Sequence, residues 1–430
     1  MDRLSNYLPA AGDSSEQAME KIRVILCALF AAFLPFDMFY STFMIFVIAG
    51  ASLIDISLKK IRQIPPAFPL FAFAILLSLS GIWYSTDGWR AHYLTERQLA
   101  FAIFPILLPL AIGKPTAEKV NLIFAVFAGS CVFAISFLLI NALDLIYSAQ
   151  LPLRYLFTYS FFNHNFSAPI GTHATYLSLY ASMSMLFLVD KLARSTRKRY
   201  RLLYLASVMI LTVGLLFLQS RNGILSLVFT LLFVFPLFSV ANRKKYYLIT
   251  VLSLALFAAI LSRSDYIRER FTTELSTDLK TGKQVFTARN PEPRSWRWAC
   301  AWKIIREKPL FGHGTGDEIP LLLVEYKKHN YQVSFREQFN SHNQYLSVMI
   351  KHGVAGLIVF LAALAYFFRL AVSRKNFLYV AFLTLTCLGF ITEDIIDANK
   401  GIFFFAFFNT LLGYHILYIR KTPAETSTTP

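Results

Sequence analysis

The stretch Phe339–Phe368 reads FNSHNQYLSVMIKHGVAGLIVFLAALAYFF and changes character within a few residues. A polar Ser341-His342-Asn343 cluster gives way to a long apolar run. A bilayer core about 30 Å thick takes roughly 20 apolar residues per helical span. Runs near that length recur at 24–36, 38–55, 67–84, 98–113, 119–141, 170–189, 202–219, 222–240, 246–262, 353–370, 376–393 and 401–418. The fold expected is all-α: a polytopic integral membrane protein with about twelve transmembrane helices. Composition agrees, since 56% of the 430 residues are hydrophobic and 16% charged, with 42 Phe, which is not how soluble proteins are built. A membrane β-barrel would alternate polar and apolar residues, and no such pattern is present.

The formal charge of +17 raises the question of nucleic acid, and the placement of the charge answers it. Lys59, Lys60 and Arg62 follow the second run, and Lys191, Arg194, Arg197, Lys198, Arg199 and Arg201 the sixth. Arg243, Lys244 and Lys245 follow the eighth, and Arg369, Arg374 and Lys375 the tenth. Every second loop is basic, which by the positive-inside rule makes those loops cytoplasmic. Both termini are then expected in the cytoplasm, with loops 85–97, 142–169, 263–352 and 394–400 outside. The chain divides into 1–262 with nine spans and a smaller external loop near 142–169, a large external insertion at 263–352, three spans in 353–418, and a tail at 419–430. Cys27, Cys131 and Cys387 fall within spans, so no disulfide framework is available. The first apolar run lacks a small-residue cleavage site and is read as an uncleaved anchor.

Within the insertion, SWRWACAWKIIREK places Trp298, Ala301, Trp302 and Ile305 on one helical face, and Pro309 with GHGTG ends the helix. Such a tryptophan-rich helix suits the bilayer surface, where its polar face would overlie a lipid headgroup. Arg221, in the short turn QSRNG, is either a snorkelling helix-end residue or a fixed cation facing an anionic headgroup. Arg294 and Arg297 share a helix face, for solvation or for a diphosphate, whose oxygens each guanidinium can bind in pairs. His342 is either a capping residue or a general base, its ring oriented by Ser341 and Asn343. His173 and Tyr176 in GTHATY, His313 in the Gly-rich turn, and Glu393, Asp394 and Asp397 are further polar candidates. No grouping has recognisable metal-ligand spacing, and no nucleophile-elbow, zinc-protease or P-loop motif occurs. The acidic group could take a divalent cation, yet acidic residues in an outer loop need no such explanation.

Three separated segments resemble motifs of the O-antigen ligase and polymerase superfamily of bacterial membrane glycosyltransferases. They are Ser220-Arg221-Asn222-Gly223, then PRSWRWACAWKIIREKPLFGHGTG with Arg294, Trp298 and Pro309 to Gly314, then SHNQYLSVMIKHGVAG with His342, Asn343, Leu346, Gly353 and Gly356. The resemblance covers Tyr176 to about Phe368. It implies an enzyme of the bacterial inner membrane, acting at the periplasmic face in lipopolysaccharide biosynthesis, with His342, Arg221 and Arg294 catalytic. It further implies that Arg297, Asn343, His313, His173 and Tyr176 bind substrate, and that no cofactor or metal is used. The partners implied are an undecaprenyl-pyrophosphate-linked glycan donor, a lipid A-core acceptor and the lipid bilayer, with no nucleic acid. Ligases, polymerases and protein O-oligosaccharyltransferases share these motifs. One dominant loop and an early stop after the last span favour the ligase. A transporter is the alternative from another class, but the candidate residues gather at one face instead of mid-bilayer and the halves show no likeness.

Overall fold

The computed structural model describes residues 13–62, 64–239, 243–248, 250–252 and 292–421, and all regular structure among them is helical. The principal helices are α1 (Ser15–Phe33), α2 (Met38–Leu53), α3 (Phe73–Ile82), α4 (Gly88–Ile112), α5 (Ala117–Ser148), α6 (Ala174–Arg194) and α7 (Lys198–Leu218). They continue with α8 (Arg221–Ser239), α9 (Arg294–Glu307), α10 (Glu318–Lys328), α11 (Gln344–Ser373), α12 (Phe377–Gly389) and α13 (Asn399–Lys421). Polar residues start several of them, as helix-end chemistry favours. Ser14 forms a capping box with Gln17, and Asp37, Thr116, Ser220, Asn343 and Asn376 each accept from a backbone N–H of the first turn.

Six helices, α4, α5, α7, α8, α11 and α13, are long and apolar enough to cross a membrane, while α2, α3 and α12 are apolar but shorter. A polytopic helical membrane protein is what this supports. The expectation of about twelve crossings meets six full-length candidates among the described residues, because several apolar runs form short helices or begin in polar turns. Most of the expected span 246–262, the first part of the insertion to residue 291, and residues 422–430 of the tail lie outside the described residues.

The centre of the bundle is α13. Its run IFFFAFF is apolar on every side, and a helix of that kind is buried. Phe407 packs 4.7 Å from Phe30 and 5.4 Å from Phe104, Phe408 4.7 Å from Phe124, and Phe405 5.6 Å from Phe382. Four helices, α1, α4, α5 and α12, thus converge on one. At one end of the bundle Arg23 pairs with Asp55 at 2.6 Å and donates to Ala111 O, Lys119 meets Glu20, and Tyr414 reaches Gly113 O. The opposite end carries residues 292–343.

The tryptophan helix forms as expected, over Arg294–Glu307, but its apolar side is turned to protein. Cys300, Ala301, Ile304 and Ile305 pack with Leu322 and Tyr326 of α10 and with Leu346 and Ile350 of α11 in a small second core. Trp302 remains about half exposed. α10 supplies the apolar partner that the bilayer was expected to provide.

The expected span start at residue 353 is a break inside α11. Gly353 has φ 63°, and a Cβ there would lie 2.3 Å from Leu310 O, so only glycine fits. Breaking the helix frees backbone groups, and the Gly-rich turn takes them up. His313 N and Gly314 N donate to Ile350 O and Lys351 O, while Val354 N and Ala355 N donate to Pro309 O and Leu310 O. The segments PLFGHG and KHGVAG are therefore two halves of one joint, each supplying hydrogen-bond partners for backbone groups of the other.

Candidate active site

The joint holds α9, the turn 339–343 and the start of α11 in fixed relation, and the turn 390–398 between α12 and α13 closes against them. Gln344 N donates to Phe390 O at 2.8 Å, and Ile396 N to Gln344 Oε1 at 3.0 Å. Trp298 Nε1 donates to Ser341 O at 3.1 Å, tying α9 to the turn.

His342 sits on this turn with φ 47°, a left-handed conformation uncommon for a residue with a side chain. Its neighbours impose it. Asn340 Oδ1 accepts from His342 N, and Asn343 caps α11 by accepting from Tyr345 N and Leu346 N. Ser341 turns away, its N and Oγ both donating to Glu318 Oε1. The ring is thus not oriented by Ser341 and Asn343, as the sequence had led us to expect. Glu393 holds it: His342 Nδ1 lies 3.4 Å from Glu393 Oε2. The other oxygen of Glu393 accepts from Arg294 Nη2 at 3.0 Å. One nearly buried carboxylate therefore joins two of the three residues expected to be catalytic.

Burial pushes the Glu393 carboxyl up, but its hydrogen bond to His342 and the charges of His342 and Arg294 outweigh this and bring it down to about 2. His342 is pulled below the usual histidine value, first by burial and also by the Arg297 and Arg294 charges, with Glu393 acting in the opposite direction. The imidazole is neutral at neutral pH. With Nδ1–H donated to Glu393, the lone pair is on Nε2.

Arg297 is buried, its guanidinium 5.0 Å from the Phe339 ring centroid, and that ring meets His342 edge-on at 5.4 Å. Arg221 is the first residue of α8. Beside it, Asn222 Nδ2 donates to Gly389 O at 3.2 Å, and Asn222, Gly223, Tyr176 and Glu393 line one small cleft. The three motifs are brought to one end of the bundle, around Glu393. His173 caps α6, accepting from Thr175 N, with its ring 4.0 Å from His164 and 5.9 Å from Tyr176. His313 is placed differently, buried in the joint with Nε2 3.0 Å from Ile304 O.

A second polar group adjoins the first. Lys351 Nζ lies 2.8 Å from Asp397 Oδ2 and 3.2 Å from Glu318 Oε2, all within the protein. Gln344 and Ser347 also donate to Asp397 Oδ2, and Gln98 donates to Asp397 Oδ1. Sequence reasoning overlooked Gln98, Glu318, Gln344 and Lys351. The signal available was Lys351, a charge in the apolar run SVMIKHGV, since an ionisable residue in such a run needs a partner or a task.

No curated protein matches the chain. Residues 205–361, which contain Arg221, Arg294, Arg297, His313, His342, Asn343 and the Gly353 joint, match the family model described as O-antigen ligase, and that match supports an O-antigen ligase-family assignment for this region.

Proposed function

We propose that the protein is a ligase that moves O-antigen glycan from undecaprenyl pyrophosphate to a sugar hydroxyl of lipid A-core, in lipopolysaccharide biosynthesis. The family match over residues 205–361 supports the coarser statement, a glycosyltransferase-type membrane enzyme acting on lipid-linked glycan. The observation that carries the finer one is the Glu393 carboxylate shared by Arg294 and His342.

In this reading the donor's polyprenyl tail lies along the bundle, at the periplasmic side of the inner membrane, and its pyrophosphate faces Arg221 and Arg294, with Arg297 behind. His342 Nε2 takes the proton of the acceptor hydroxyl as that oxygen attacks the anomeric carbon. The bond between that carbon and the phosphate oxygen breaks, and undecaprenyl pyrophosphate leaves with the electron pair. Its developing charge is met by the guanidiniums, fixed donors that need no reorganisation as the reaction proceeds. A single displacement inverts the anomeric configuration. Glu393 keeps Nδ1 protonated and balances the imidazolium that forms, much as a carboxylate behind a catalytic histidine does. His173, Tyr176 and Asn343 are kept as substrate-binding candidates, whereas His313, buried in the joint, supports the fold of the site. No nucleoside triphosphate is required, because the glycosyl-pyrophosphate bond is already activated.

The test is transfer by purified protein given undecaprenyl-pyrophosphate-linked glycan together with lipid A-core, with a second donor lipid, or with an acceptor protein. Product on lipid A-core alone, lost in His342→Ala, Arg221→Ala and Arg294→Ala, supports the ligase. Product only on the second donor or on protein reassigns the acceptor, and full activity in all three variants overturns the site.

A further inference from the structure

The charge in the second polar group does not close. Glu318, Asp394 and Asp397 each offer a carboxylate oxygen, and these atoms lie within 4.8 Å of one another. Lys351 is the cation bonded to them, and it rests on Glu318 Oε2 and Asp397 Oδ2. Glu318 is further satisfied by Ser341 and Ser347, and Asp397 by Gln98, Gln344 and Ser347. Asp394 differs. It is 4% exposed, and neither of its oxygens accepts a hydrogen bond from any described residue. A buried carboxylate left in that condition is costly unless something neutralises it. The neighbouring charges of Arg294 and His342 are engaged with Glu393.

We propose that Glu318, Asp394 and Asp397 form a binding site for one divalent, oxygen-preferring cation such as Mg2+, Mn2+ or Ca2+. Three carboxylates against one ammonium leave two negative charges, which one divalent ion balances. The donor set is oxygen alone, with no sulfur or imidazole, which suits hard ions over zinc or copper. Asp394 supplies the coordination that Lys351 does not reach. The ion would be structural, joining the first turn of α10 to the turn before α13, and so holding the insertion against the bundle next to the His342 turn. It takes no part in the transfer step, and the proposal stands apart from the ligase reading.

The experiment uses full-length protein in nanodiscs of zwitterionic lipid, stripped with EDTA and titrated with Mg2+, Mn2+ or Ca2+ at constant ionic strength. Thermal unfolding and the count of bound Mn2+ by electron paramagnetic resonance are read together. The expected result is about one Mn2+ per chain and a saturable rise in Tm with at least one ion. Asp394→Asn, which keeps the shape and removes the charge, is expected to lose both while unfolding in EDTA no earlier than wild type. Absence of bound Mn2+ and of any Tm rise in wild type would overturn the site, and so would equal binding by Asp394→Asn. Neither readout depends on glycan transfer, so the outcome is independent of whether the ligase reading holds.

Discussion

Replacing Glu393 with Gln removes one charge at nearly constant volume, at the atom that links Arg294 to His342. In the native site each carboxylate oxygen takes one of these two hydrogen bonds, at 3.0 and 3.4 Å. A hydrogen bond to a charged group contributes about 1.5–3 kcal/mol, and about 1.4 kcal/mol in a barrier is tenfold in rate. Losing the charge that supports the imidazolium in the transition state should therefore slow transfer about 10- to 150-fold. The pH profile moves as well. Transfer requires neutral His342, so the acid limb follows its protonation. Glu393 is the group that raises the His342 value, and without it burial and the two arginines carry that value lower, so the acid limb should shift to lower pH. Initial rates across pH with saturating donor test both effects, with Tm confirming that the variant folds. A wild-type rate with an unmoved acid limb would refute the reasoning. Stability carries its own signature. The folded Glu393 carboxyl titrates near 2 against an ordinary 4.5, so its contribution is complete above 4.5 and is lost as pH falls toward 2. That part of the stability profile should flatten in Glu393→Gln.

Arg294→Lys keeps the charge but not the planar fork, and should recover less than a tenth of the wild-type rate while leaving acceptor KM unchanged, as measured by transfer kinetics. Lys351→Met strips the cation from Glu318 and Asp397, and breaking a buried pair on one side should cost about 3–5 kcal/mol, read as loss of thermal stability in EDTA. Gly353→Ala meets both an unsuitable φ and Leu310 O at 2.3 Å, so it should destabilise by more than about 1 kcal/mol. Because Gly353 holds the joint and touches no substrate, slower transfer in that variant should track unfolding as temperature rises.

The all-α membrane class was plain in the sequence because the bilayer enforces it residue by residue: apolar runs of spanning length and basic clusters at alternate loops are local properties. So was the helix Arg294–Glu307. The number of crossings was less legible. Apolar runs such as 67–84 break into short helices, and α11 begins at Gln344, nine residues ahead of the apolar part, since a polar helical turn enters the protein where a span was expected to begin.

Residue types marked Arg221, Arg294 and His342 as candidates, each with a structural alternative, and the motif resemblance singled them out as catalytic. Their common partner was beyond reach. Glu393 lies 51 residues from His342 and 99 from Arg294. Only the packing of the turn 390–398 against the start of α11 brings it between them. The same is true of the joint, where Pro309 to Gly314 and Lys351 to Gly356 read as two unrelated glycine-bearing motifs until their backbones exchange hydrogen bonds. Composition and local spacing determine which segments enter the membrane and which residues are chemically competent. Which of those residues share a proton or a charge is a matter of ångströms between distant segments, and that was decided by the tertiary structure.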